Sequence, residues 1–233
     1  MAGRALAWLA ALGVALAPAA AVPADPKNPT CPQSPDWGPL KPMQFTFEQR
    51  DGRNLLVGQG LIDDALLPRL KAALEKNGAI DEIWLRSAGG DARVGNEAGK
   101  LIRQTGIPTR IPAGWACFSA CNFLFMGGIA RYVDAGGLFI VHMFTHTGDR
   151  GLIEAEVLRG TESTVGLIGE IEQESAMLAS EDNDFLIRMG VSRKLLTEVM
   201  YRQKAVAEQG GDASTRRCLT QAEAWKYNVA NVR

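Results

Sequence analysis

The sequence predicts an α/β fold with parallel strand pairing, on three observations. Short apolar or alternating runs recur along the chain, at Gln44–Glu48, Asn54–Gly60, Ile80–Leu85, Thr109–Ile111, Arg131–Val133 and Leu138–His142. Segments with apolar residues at spacings of three and four separate most of them. Connections of that length carry a helix and return the chain parallel to its last strand.

The elements follow in order. Residues 25–43, rich in proline and polar residues, read as an extended lead-in with Cys31 as its anchor. Gln44–Glu48 alternates, Arg50-Asp51-Gly52-Arg53 is a hairpin turn, and Asn54–Gly60 is the returning strand. A helix begins at Asp63 and Asp64, buries Leu66, Leu67, Leu70, Ala73 and Leu74, and stops at Asn77-Gly78. After the strand Ile80–Leu85 a helix runs from about Val94 to Gln104. A short strand near Thr109–Ile111 and a buried helix after Ser119 come next, then strands at Arg131–Val133 and Leu138–His142. From Gly151 to about Met189 the pattern is helical, with breaks expected at Gly160 and Gly166. Its acidic residues, among them Glu174, Glu181, Asp182 and Asp184, read as a solvated face. Ser192–Tyr201 is a further helix, and Thr220–Tyr227 a last one, capped by Thr220 with Glu223 three residues on.

Composition narrows the function. The 233 residues are 46% hydrophobic and 22% charged, enough apolar material for a globular core. A net charge of −1 offers no basic surface for nucleic acid or anionic lipid. Residues 1–24 read as a secretory signal: one charge at Arg4, an apolar run from Ala5 to Ala17, and a small-residue cleavage end. The alternative is an uncleaved anchor. The domain is expected over residues 44–233, in a periplasmic or secreted protein. Export permits disulfides, and Cys31, Cys117, Cys121 and Cys218 allow three complete pairings. Cys117 and Cys121 bracket Ser119, and at least one is expected to be tied to Cys31 or Cys218. With two histidines, His142 and His146, and no Cys-x-x-Cys, a metal site is not expected.

Three stretches carry chemistry. Ser119 stands between the small, irregular Ala116-Cys117-Phe118 and the apolar Ala120–Gly127, where an N-cap or first-turn residue belongs. The alternative to a nucleophile there is a capping serine. Ser87-Ala88-Gly89-Gly90-Asp91 follows a buried strand and opens a helix, and adjacent glycines bring bare N–H groups to a ligand. Gly95 to Lys100 imitates a phosphate loop but has three residues between its glycines and Leu101 in the hydroxyl position, so nucleotide binding is discarded. His142 ends an apolar strand that can reach Ser119, and is the better general base of the two histidines; His146 lies in a looser segment.

Together these stretches resemble the Clp protease/crotonase superfamily, and within it the exported Clp-protease-like proteins. Ser87–Gly95 resembles the Ser-Pro-Gly-Gly turn, Cys117–Cys121 the nucleophile elbow, and His142, 23 residues after Ser119, the base. Leu219–Tyr227 is similar to the closing helix. The resemblance covers residues 54–230 and implies a spiral of β-β-α units. It implies Ser119 as nucleophile, His142 as base, and the amides of Gly89 or Gly90 and of Ala120 as the oxyanion hole. The acid does not carry over, because Thr215–Cys218 stands where the family has its aspartate. Asp212 is the nearest acid; the alternative is a Ser–His dyad.

The expected function is therefore an exported serine hydrolase, a peptidase acting on peptide or protein without cofactor, metal or ATPase partner, with some self-association. Two alternatives stand beside it. One is an inactive Clp-protease-like binding or oligomerisation module. The other is a crotonase-type acyl-thioester enzyme, which would need a coenzyme A pocket and no Ser119. A Ser–Lys peptidase finds no lysine at a partner position.

Overall fold

The computed structural model describes residues 23–206 and 214–232; the expected signal at 1–24 lies almost wholly outside them, as does Asp212. Among the described residues eight strands form two sheets. The first holds β1 (Gln44–Arg50), β2 (Arg53–Gln59), β3 (Glu82–Arg86), β4 (Thr109–Ile111) and β6 (Arg131–Val133), in the order β1-β2-β3-β4-β6. The second is β5 (Ala116–Phe118), β7 (Leu138–His142) and β8 (Arg216–Cys218), in the order β5-β7-β8. Only β1–β2 and β7–β8 pair antiparallel; β2–β3, β3–β4, β4–β6 and β5–β7 are parallel, as the helical spacers require.

The β1–β2 hairpin turns on Asp51 and Gly52, at φ 50° and 74°. Two central residues at positive φ give the turn whose twist suits the flanking strands. The six helices are α1 (Leu66–Lys76), α2 (Ala92–Thr105), α3 (Cys121–Gly127), α4 (Arg150–Arg159), α5 (Thr161–Arg188) and α6 (Gln221–Lys226). Asp91 caps α2, its side chain accepting from the Val94 amide, so α2 starts two residues before the apolar periodicity suggests. Thr220 and Glu223 form the expected capping box on α6.

Buried charge is matched where it holds the sheets together. Glu82 is fully buried and accepts from Arg110 Nε at 2.9 Å, Arg53 Nη2 at 2.8 Å and Trp84 Nε1 at 2.7 Å. Burial pushes its carboxyl up, but those three donors outweigh it and hold it below the ordinary range. Arg131, also buried, donates to the carbonyls of Val229, Gly128 and Asn228 and so fastens the C-terminal segment; burial lowers its guanidinium to about 10.

The main core gathers residues of both sheets and of α1, α2, α3 and α5. All seven residues of α3 are buried, as a helix apolar on every face must be. It reaches that depth because α2 comes very close to it. A Cβ on Gly99 would lie 2.4 Å from Phe123 O, and one on Gly127 would lie 2.3 Å from Gly99 O. Gly99, which in sequence looks only like part of a failed phosphate loop, is thus a packing residue.

Four elements differ from expectation. β5 and β8 are three-residue strands where the sequence pattern marks none. Gly166 does not break α5, while Gly160, at φ 112°, does separate α4 from α5. Ser192–Tyr201 forms a π-helical turn at Leu195–Val199 followed by a 3₁₀ turn, instead of an α-helix.

Gly99→Ala forces backbone apart and is expected to cost about 2–4 kcal/mol in urea unfolding. Gly169→Ala, on α5 with nothing near its Cβ position, should be neutral or stabilise by about 0.5–1 kcal/mol. Equal effects at the two sites would contradict the close α2–α3 approach.

Candidate active site

Ser119 does not cap the helix. The cap position belongs to Ala120, with no side-chain bond, and Ser119 precedes it at φ 55°, in the left-handed region. That backbone costs a non-glycine residue on the order of 1 kcal/mol. It turns the half-buried Ser119 hydroxyl away from the helix and toward His142, whose Nε2 lies 2.7 Å from Ser119 Oγ. The elbow is held covalently: Cys117 and Cys121 are disulfide-bonded to each other, and Cys31 to Cys218. The expected link from the elbow to Cys31 or Cys218 is therefore corrected. Cys117 ends inside β5 and Cys121 opens α3, and the chain reverses between them sharply enough to bring their Cα atoms within 5.3 Å.

β7 delivers His142. It runs parallel to β5 with Phe118 opposite Ile140, so β7 continues two residues past the end of β5 and brings its last residue, His142, up beside the elbow. The His142 ring packs on Phe118, centroids 4.7 Å apart. Its other nitrogen, Nδ1, lies 3.2 Å from Ser214 Oγ, a neighbour the sequence reading missed. Ser214 is buried and precedes β8, whose Arg216 pairs with His142; nothing periodic marks it in the sequence. The lead-in fixes this edge through the Cys31–Cys218 disulfide, through Asn28 Oδ1 accepting from the Arg216 amide and through Thr30 Oγ1 accepting from the Cys218 amide. The Arg216 guanidinium lies over both Trp37 and Phe118. His146 does not approach Ser119; its Nδ1 is 3.0 Å from Asp149 and its Nε2 3.4 Å from Glu174.

The glycine turn lies against the elbow. A Cβ on Gly89 (φ 88°) would fall 2.7 Å from both Phe118 O and Ser119 Cβ, and one on Gly90 (φ 143°) 2.0 Å from Ile62 O. Only glycine fits either position. The Gly89 amide donates to Ser87 Oγ at 3.0 Å. The amides of Gly90 and Ala120 have no acceptor among the described residues, so of the two glycines named from sequence it is Gly90 whose N–H remains available. Among the described residues no group of His, Cys, Asp and Glu is placed to hold a metal ion, and no helix is long and apolar enough to cross a membrane.

Ser119, His142, Gly90 and Ala120 share one cavity of about 780 Å³. Its far wall is α5, which contributes Glu174, Leu178, Asp182 and Leu186. Residues four apart stack along one helix face. Burial deepens along this row, from exposed Glu174 through half-buried Leu178 to Asp182, 4% exposed. Asp182 thus departs from the solvated acidic face expected of this region. Burial, and then Glu181, push its carboxyl up to about 7.

The folded chain therefore holds the Asp182 proton more tightly than the unfolded chain, whose aspartates titrate near 3.9. The carboxyl is neutral in both states below about pH 4, and its ionisation penalises the fold progressively as pH rises toward 7. Asp182→Asn removes that penalty. The variant's stability relative to the parent should grow by on the order of 3 kcal/mol between about pH 4 and pH 7 in urea unfolding. A difference that stays constant with pH would contradict the buried, unpaired carboxyl.

No protein-family model and no curated protein matches the sequence. Solved structures do. A point mutant of ClpP1 from Listeria monocytogenes superimposes with a TM-score of 0.51 at 14% identity, over 76% of this chain and 88% of that one. The 1510-N membrane-bound stomatin-specific protease gives 0.44 at 17% identity, over 76% of each chain. An enoyl-CoA hydratase from Shewanella pealeana gives 0.44 at 14%, over 80% of this chain and 66% of that one. With its mixed sheets, parallel crossovers and central buried helix, the chain has the fold of the Clp protease/crotonase superfamily.

Proposed function

We propose that this chain is an exported serine hydrolase, a peptidase that works without ATP, with residues 1–24 its signal, 25–43 its lead-in and 44–233 its domain. One observation carries the reading: Ser119 Oγ lies 2.7 Å from His142 Nε2, in a cavity that Gly90 and Ala120 also line. The resemblance of the Ser87–Gly95, Cys117–Cys121 and His142 stretches to Clp-type peptidases points the same way. The two disulfides are consistent with life outside the cytoplasm.

In this reading the His142 tautomer with its proton on Nδ1 donates to Ser214 Oγ and leaves the Nε2 lone pair facing the Ser119 hydroxyl. His142 takes that proton as Ser119 Oγ bonds to the substrate carbonyl carbon. The carbonyl oxygen becomes an oxyanion held by the Gly90 and Ala120 amides. As the tetrahedral species collapses, His142 returns the proton to the departing amine and the scissile C–N bond breaks, leaving an acyl-Ser119. Water then repeats the cycle, with His142 again as base, and frees the acid. Asp212, two residues before Ser214, remains the candidate acid behind His142.

A second reading, a binding or oligomerisation module, draws on α4 and α5. Leu158 is 87% exposed, and Val157, Val165 and Ile168 are also exposed. Apolar side chains grouped on neighbouring helices favour self-association, which accompanies the first reading as well.

A fluorophosphonate probe separates the two. The parent protein should label at Ser119, and Ser119→Ala and His142→Ala should lose labelling. Ser214→Ala should slow it by roughly tenfold, less than losing the acid of a complete triad costs. A folded parent that does not label, with its disulfides intact, would move the assignment to the binding module.

A further inference from the structure

Acyl transfer leaves one wall of the cavity unexplained. Asp182 faces the same space as Ser119 and His142, is 4% exposed, and has no hydrogen bond or ion pair among the described residues; the groups that act on it are Glu181, of like charge, and the Tyr201 phenol. Glu82 is buried as deeply and is surrounded by two arginines and an indole N–H. A buried carboxyl without such partners is the exception that calls for a reason.

The surroundings suggest the reason. Beside Asp182 the cavity is walled by apolar side chains, Leu178, Leu186, Leu195, Leu196 and Met200. Among the described residues four other charged side chains border it, Asp91, Asp149 and Glu174 against one cation, exposed Arg93. Asp91 caps α2, and Asp149 and Glu174 both face His146, so Asp182 is the carboxyl left for a ligand. A cavity with an apolar lining and a deeply buried carboxyl, bordered by further acidic groups, matches a side chain that has a long aliphatic stem and a cationic head.

We propose that this cavity takes a lysine or arginine side chain of the substrate polypeptide, with Asp182 as the counter-ion at its inner end. The inference rests on Ser119 as the reactive group but concerns binding. In the free protein the carboxyl avoids the cost of a bare buried charge by holding its proton. An entering cation favours the ionised form, and the proton passes to solvent. Asp182 is thus a specificity-determining residue, and basic substrates gain where isosteric neutral ones do not.

The test uses full-length mature protein carrying Ser119→Ala, so that ligands bind without turnover. Calorimetry compares N-acetyl-arginine N-methylamide with the citrulline and norleucine counterparts. Citrulline has nearly the shape of arginine and no charge. Arginine should bind roughly tenfold more tightly than citrulline at about pH 6, where the free carboxyl still holds its proton, and its binding heat should shift with buffer ionisation enthalpy as Asp182 gives that proton up. Adding Asp182→Asn should bring the two ligands within about twofold and abolish the buffer dependence. Equal binding of arginine and citrulline, no arginine binding, or a preference that survives Asp182→Asn would each overturn the proposal. If Asp182→Asn does not fold, the arginine-to-citrulline ratio with Asp182 in place decides alone. Fluorophosphonate labelling of the Ser119 protein keeps the two ideas separate. Labelling without an arginine preference sinks the basic pocket and leaves the peptidase; arginine binding without labelling does the reverse.

Discussion

The backbone of Gly89 lies so close to the Ser119 elbow that a Cβ would fall 2.7 Å from Phe118 O and from Ser119 Cβ, and several features follow from that contact. The turn after β3 must be glycine at two successive positions. β3 and β5 must come together, which they do through Ser87, whose amide donates to Ala116 O and whose carbonyl accepts from Phe118 N–H. The first sheet is thereby joined to the second at the point where the serine emerges. Gly90 and Ala120 line one cavity because the two turns that carry them are in close contact. The close approach of α2 to α3 at Gly99 and Gly127 continues the same seam into the core.

The two disulfides act at different ranges on this arrangement. Cys117–Cys121 closes four residues of chain around Ser119, which in a chain-entropy account contributes only about 2 kcal/mol to global stability. Its position makes its effect local, on a backbone held in the left-handed region. Cys31–Cys218 spans 187 residues, and the same account gives it about 5 kcal/mol. It ties the lead-in to β8, the strand beside His142, and so fixes the edge from which Ser214 reaches Nδ1. The lead-in is part of the site's support even though none of its residues lines the cavity.

Much of this was legible in the sequence because the signals were local and strong. The Asp51-Gly52 turn and the Thr220–Glu223 capping box are each specified by a few neighbouring residues, and the structure has both. Ser119 and His142 were readable from their order and the strand that ends at His142. The cysteine pairing was not, since three pairings fit the same four positions and the choice depends on how sharply the elbow folds. Ser214 and β8 were not, because a three-residue strand shows no period and its partners lie in the distant lead-in. Asp182 was misread for a different reason. Glu181 and Asp184 flank it on exposed positions, and in a long acidic helix only the three-dimensional packing of Phe185 and Leu186 reveals that the face turning inward also carries a carboxyl.

That carboxyl and Glu82 together show how burial and function separate. Both lose their water, and burial alone would raise both. Around Glu82 the protein supplies Arg53, Arg110 and Trp84, and the net effect is an ionised group below its ordinary range that ties three strands together. Around Asp182 it supplies Glu181 and Tyr201, neither of which stabilises an anion there, and the group rises to about 7. A carboxyl in the second environment adds nothing to the fold that an amide or a leucine would not add better. Its contribution has to come from something the free chain lacks, and the cavity it faces is the one that contains Ser119.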